Sequence, residues 1–264
     1  MASSPSLGEE SVHNSDEDPP TEPEAEEPPP EEAAAEEDLP PRGAGVEARG
    51  LSLRGPRGWV YRDVTFEVPP GEVAALVGDA GSGRTSLLLT LGGRMRPTGG
   101  TAVVGGRRLP GELRAVQRIA ALGLVAGVTE PDPALTVAEH VSEAIDLREG
   151  LLGRLRGRRR RIAAALDRVG LEVDPRMRAQ DLLPDEARLL GVALALIGDP
   201  GLVLLDDLDD GLPVDAQQAL WRRLREIADT GITIVAACHD ATAAQGLAEI
   251  VRIEHPRTME GART

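Results

Sequence analysis

The sequence predicts an α/β fold: a sheet whose strands alternate with helices, with a helical insertion, preceded by a disordered acidic tail. Three observations carry this. Short apolar runs alternate with stretches of helical periodicity from residue 44 onward. One of those runs ends in a glycine-rich turn that opens directly into a helix. Ahead of residue 44 the composition changes: residues 1–42 hold 14 of the 44 acidic residues and one of the 29 basic ones.

That first segment also holds nine of the 21 prolines and almost no large apolar side chain. It cannot bury enough surface to offset its ordering entropy, so residues 1–43 are expected to be a disordered, solvating or docking arm. The rest of the chain is nearly neutral. The whole chain of 264 residues is long enough for one large domain or two small ones, and a single one is expected over 44–264. No apolar run approaches the ~18 residues of a membrane span, and no signal-peptide core precedes the acidic stretch. The single cysteine, Cys238, excludes a disulfide scaffold and fits a reducing compartment. An integral membrane or secreted protein is therefore not expected.

The elements follow in order. Leu51-Ser52-Leu53 and Trp59 to Val68 read as strands, and Pro69-Pro70-Gly71 as a turn. Glu72 to Val77 is a buried strand running into glycines, and a helix follows from about Thr85. Thr101 to Val104 is a short strand. Residues 111–190 read as mostly helical, with Val137, Val141 and Ile145 at i, i+4, i+8. Gly201 to Leu205 is a second buried strand. Leu220, Trp221, Leu224 and Ile227 give one helix its apolar face, and Ile232–Ala236 and Ala248–Ile253 supply the last strands.

The turn is the chemical centre. Gly78-Asp79-Ala80-Gly81-Ser82-Gly83-Arg84-Thr85-Ser86 matches G-x-x-x-x-G-K-[ST] except at the lysine, which is Arg84. Its glycines let backbone N–H groups turn inward on phosphate oxygens, at a helix N-terminus whose dipole favours anions. Thr85 is placed to put its hydroxyl on a magnesium ion. All 29 basic residues of the chain are arginine. Arg84 thus keeps the charge of the motif but replaces a compact ammonium with a wide, planar fork.

Downstream, Leu202-Val203-Leu204-Leu205-Asp206-Asp207 is an apolar strand ending in acids. Together with Pro69-Pro70-Gly71-Glu72, Pro97-Thr98-Gly99-Gly100, Leu135-Thr136-Val137, Gly198-Asp199-Pro200 and His239-Asp240, it resembles the ATP-binding cassette (ABC) family over residues 44 to about 258. The resemblance implies the ABC-type phosphate-loop NTPase fold, a mixed sheet with flanking helices, with ATP and Mg2+ as ligands and a helical subdomain near 111–190. It implies that Asp206 supports magnesium and that His239 senses the γ-phosphate. It also implies a homo- or heterodimer of such domains on a separately encoded integral membrane subunit, at the cytoplasmic face of the membrane.

The departures bear on catalysis. Asp207 stands where the family has a catalytic glutamate and is one methylene shorter. Leu208 to Pro213 replaces the family's Pro-Thr-x-Gly-Leu-Asp, so Pro213 stands for its dimer-contacting aspartate. The aromatic that stacks on adenine aligns with Gly55, leaving Trp59 or Tyr61 as substitutes. The glutamine expected before Leu135 is absent, with Gly127 near its place. The Leu-Ser-Gly-Gly-Gln signature aligns with Leu182-Leu183-Pro184-Asp185-Glu186, whose proline and acids make a good helix start but a poor anion site. Arg154, Arg156 and Arg158 to Arg161 form a basic cluster; with aromatics at 2% it has no stacking platform, so nucleic acid is not expected.

Two functions remain open at this stage. One is an energy-coupling ATP-binding subunit of a transporter. The other is a non-hydrolysing regulatory or scaffold subunit that pairs with a competent ATPase.

Overall fold

Strand direction divides the protein into two sheets. In this computed structural model residues 43–125, 127–149 and 157–256 are described; the expected tail up to residue 42, and Arg154 and Arg156, lie outside them. Strands β1 (Val46–Gly55), β2 (Gly58–Val68), β4 (Gly99–Val104) and β5 (Arg107–Leu109) form an antiparallel sheet in the order β2-β1-β4-β5. Strands β3 (Val73–Val77), β6 (Ala120–Leu122), β7 (Leu202–Leu205), β8 (Thr233–Cys238) and β9 (Glu249–Arg252) form a parallel sheet in the order β6-β7-β8-β3-β9.

Strands β3, β6, β7 and β8 of the parallel sheet are buried on both faces, which is why β3 and β7 read as unbroken apolar runs; the edge strand β9 is partly exposed. Alternate residues of β3 enter different cores. Val73, Ala75 and Val77 pack with α3 (Val137–Glu149), α4 (Arg158–Val169), α5 (Pro184–Leu196) and α6 (Val214–Ala228). Ala74 and Leu76 pack with α1 (Arg84–Leu91), α2 (Leu113–Ile119) and the antiparallel sheet. Trp221 on α6 is fully buried in the first core, with Leu220, Leu224 and Ile227 beside it.

Two expectations change in detail. Within 111–190, Ala120–Leu122 is strand β6, paired in parallel with Leu202–Leu204, so the stretch is less helical than its periodicity suggests. Three residues are too few to show a two-residue period next to a helical one. Leu51-Ser52-Leu53 lies inside a ten-residue strand whose register shifts at Ala48/Leu51, Leu51/Leu53 and Leu53/Arg54. Those irregularities break the alternation a sequence reading depends on. Among the described residues no helix is long and apolar enough to cross a membrane.

Candidate functional site

Strand β8 lies between β3 and β7, and all three run parallel, so the loops that follow them leave the same end of the sheet. They bring together residues 78–86, then Asp206, Asp207 and Asp209, then His239 and Asp240. The carboxyl end of such strands is where open α/β sheets take ligands.

The first loop is built as an anion cradle. Gly81 and Gly83 adopt left-handed backbones, φ 81° and 91°, and the Ser82 N–H donates to the Asp79 carbonyl at 3.0 Å. Asp79 and Ala80 are exposed at the tip. Gly83 precedes α1 without a side-chain cap, and the first turn holds no acid. The opening N–H groups of Arg84, Thr85 and Ser86 therefore face outward with the positive end of the helix dipole.

Asp206 ends β7 and is 4% exposed. Its Oδ1 accepts the Asp207 N–H at 3.1 Å, and its Oδ2 is buried without a partner. Burial pushes its carboxyl above the ordinary aspartate value, while a hydrogen bond from the Thr85 hydroxyl pulls the other way. Two more buried polar atoms lack partners here, Ser82 Oγ and Arg84 Nη1. A hydroxyl, a carboxylate oxygen and a guanidinium nitrogen left over around one glycine loop are a donor set that a phosphate and a hard divalent cation would complete. Among the described residues no cluster of three or more His, Cys, Asp or Glu side chains suits a metal, so phosphate oxygens and water would fill the remaining positions.

Arg84 is 7% exposed and crosses the site. Its Nη2 lies 2.9 Å from Nε2 of His239 and 3.3 Å from Oδ1 of Asp207. Asp207 sits in the left-handed region at φ 41°. His239 is anchored from the other side: Asp209 accepts its backbone N–H at 2.8 Å, its Nδ1 at 3.2 Å and the Asp240 N–H at 3.0 Å. Asp209 is a residue sequence reasoning missed. Nothing local marks it, because its partners lie 30 positions away and meet it only through the β7–β8 pairing.

Helix α5 begins where the signature aligns. Glu186 reaches back to accept the Leu183 N–H at 2.8 Å, closing one half of a capping box; leucine has no oxygen for the other half. Arg188, also missed, donates to the carbonyls of Pro184 at 3.2 Å and Asp210 at 2.7 Å, and leans on that of Asp207 at 3.4 Å. It ties the head of α5 to the loop after β7.

Tyr61 is no candidate for base stacking. It is fully buried, and its hydroxyl bonds Thr90 Oγ1 at 2.7 Å. Trp59 lies instead in a cleft of about 880 Å³ beside Gly81, with Arg54, Arg57 and His255 on its walls. The guanidinium carbons of Arg54 and Arg62 stand 5.4 and 5.1 Å from its ring centroid. On α4, Arg158 bonds Ser142 at 2.9 Å and Asp146 at 3.1 Å, so this part of the basic cluster is a solvated, ion-paired helix face.

Comparison with known proteins agrees with this fold. The sequence pattern of the ABC transporter family matches residues 61–209. Lipoprotein-releasing system ATP-binding protein LolD of Pseudomonas syringae pv. tomato is 32% identical over 207 residues, 76% of this chain and 89% of the relative. Ribose import ATP-binding protein RbsA 1 of Rubrobacter xylanophilus is 32% identical over 198 residues, 74% of this chain; the match spans only 39% of that longer relative. In fold, cbiO1 of Clostridium perfringens, part of the ABC transporter complex cbiONQ, superposes with a TM-score of 0.67 at 19% identity. That superposition covers 82% of this chain and 90% of cbiO1.

Proposed function

Because the chain belongs to the ABC transporter family as an ATP-binding subunit, we propose that it binds ATP with Mg2+ across residues 78–86 and Asp206. We further propose that it couples this binding to a separately encoded integral membrane subunit. The observation that carries the site is the trio of buried, partnerless atoms, Ser82 Oγ, Arg84 Nη1 and Asp206 Oδ2. Each costs about 1–3 kcal/mol if left unpaired, a cost that a bound nucleotide and cation remove.

In this reading the first-turn amides of α1 and the fork of Arg84 hold phosphate oxygens. Thr85 and Asp206 hold the cation, which when bound neutralises phosphate charge. The base enters the cleft beside Trp59. The relatives are named for different cargoes, ribose and lipoproteins, so the nucleotide site is the shared property carried over here.

Hydrolysis is the weak step. Asp207 is short for the role of aligning water, and it leans toward Arg84. The signature segment offers Asp185 and Glu186 where a partner's phosphate would lie, and each carboxylate at ~5 Å opposes a phosphate charge by roughly 3 kcal/mol at an effective dielectric of 20. The chain is on this reading a degenerate cassette: residues 44–264 as one ABC domain with α3 to α5 in its helical subdomain. It works as a homo- or heterodimer at the cytoplasmic face of the membrane, without nucleic acid. The same features support a second reading, a non-hydrolysing regulatory subunit that completes a site with a competent partner.

Titration calorimetry of the whole chain with Mg-ATP tests the site. Saturable binding that Thr85→Ala weakens is expected; no binding by the wild type would overturn it.

A further inference from the structure

We propose that Arg84 sets the nucleotide specificity of this site, so that it holds a nucleoside diphosphate about as tightly as the triphosphate. The proposal rests on the phosphate-site reading above. A guanidinium can only donate hydrogen bonds. With Arg84 Nη2 at 2.9 Å, His239 Nε2 must be the acceptor and carries no proton. The ring proton sits on Nδ1, where the Asp209 carboxylate accepts it at 3.2 Å. A phosphate oxygen is also an acceptor, and two acceptors do not bond. In this tautomer His239 therefore offers nothing to a third phosphate.

The same Nη2 lies 3.3 Å from Asp207 Oδ1. One guanidinium thus ties together the two side chains that the loops after β7 and β8 present to the end of the phosphate chain. Nη2 alone meets both partners, and the guanidinium still has a second nitrogen over; a lysine ammonium is a single nitrogen and has none. That second nitrogen, Nη1, is buried and unpartnered. It is free for a phosphate common to both nucleotides, together with the first-turn amides of α1. The diphosphate keeps its attraction, while the third phosphate gains no donor from His239 and faces the Asp207 carboxylate.

Calorimetry of the full chain with Mg-ADP and with Mg-ATP, for the wild type and for Arg84→Lys, tests this. In the wild type the two dissociation constants should agree within about threefold, less than one hydrogen bond to a charged group contributes. Arg84→Lys should move their ratio about tenfold toward ATP, equivalent to about 1.4 kcal/mol. Should that variant not fold, His239→Gln carries the test: its amide can donate to phosphate, and the ratio should shift the same way. Side-chain 15N spectra add a readout that a structural role would not move. The wild type should show His239, identified among the four histidines by its loss in His239→Gln, as the neutral Nδ1–H tautomer.

A wild type that prefers ATP by about tenfold, or a ratio indifferent to both substitutions, overturns the proposal and leaves the phosphate site standing. If neither nucleotide binds the wild type, the phosphate-site reading itself fails, and this proposal with it.

Discussion

A methyl group on Gly83 would collide with the carbonyl oxygen of Val60, and would stand 2.9 Å from its carbonyl carbon and 3.1 Å from Tyr61 Cβ. The loop thus lies directly on the backbone of β2, in a left-handed conformation, φ 91°, that other residues adopt at a cost of about 1–3 kcal/mol. Gly83→Ala should lower the unfolding free energy by at least that amount and weaken nucleotide binding about tenfold or more. Thermal melts and calorimetry read the two effects separately. Loss of binding without loss of stability would mean that β2 does not buttress the loop.

On the proposed reading Thr85 and Asp206 would hold the cation and leave the nucleotide to the glycine loop. Thr85→Ala and Asp206→Asn should each weaken binding of Mg-nucleotide more than binding of metal-free nucleotide, because both side chains are assigned to the cation. Titrations with magnesium and with excess chelator give the comparison. Equal losses under both conditions would contradict the assignment.

Turnover is expected to be poor in the isolated chain, and Arg84→Lys with Asp207→Glu should not restore it. On the proposed reading a partner copy's signature segment would complete each site, and both copies of a homodimer carry Pro184, Asp185 and Glu186. Adding Leu183→Ser, Pro184→Gly, Asp185→Gly and Glu186→Gln should raise steady-state phosphate release well above either parent. Brisk wild-type turnover would sink the degenerate reading.

Alkaline pH should unfold the protein through two buried groups. Burial pushes the Cys238 thiol from 9.0 to about 12 and the Tyr61 hydroxyl from 10.0 to about 12. Each is protonated in the folded state over a range where the unfolded chain has released its proton. Their stability is fully present below pH 9 and declines from there through the folded values. The slope should be about 1.4 kcal/mol per pH unit from the thiol, and about twice that once the phenol joins above pH 10. Denaturant melts at pH 8, 9.5 and 11 measure it, and Cys238→Ala with Tyr61→Phe should flatten the decline.

Much of this architecture is legible in the residues themselves. Val73–Val77 and Leu202–Leu205 read as strands because both of their faces are buried, and the glycine turn between β3 and α1 has its own spacing. Where the reading stops is physical. Ala120–Leu122 is apolar throughout and too short to repeat a two-residue period. Tyr61 shares a strand with Trp59, two positions apart on the same side, yet irregular pairing with β1 buries one ring and leaves the other in a cleft. Asp209 and Arg188 act through partners brought near by strand order and helix packing, distances that no local pattern encodes. The bond of Arg84 to His239 spans 155 positions and exists only because β8 is inserted between β3 and β7.

The closed head of α5 has a consequence for how copies of this chain would meet. Glu186 already bonds the Leu183 N–H, and the exposed Pro184 has no N–H to offer. What remains at that surface is the negative charge of the half-buried Asp185 and Glu186. Association of a nucleotide-loaded partner through this face is then opposed by long-range repulsion rather than helped by attraction. Added salt shortens the reach of that repulsion to roughly 8 Å at physiological ionic strength and about 3 Å at 1 M. Assembly here should therefore tighten as ionic strength rises, the reverse of an interface held by complementary charge.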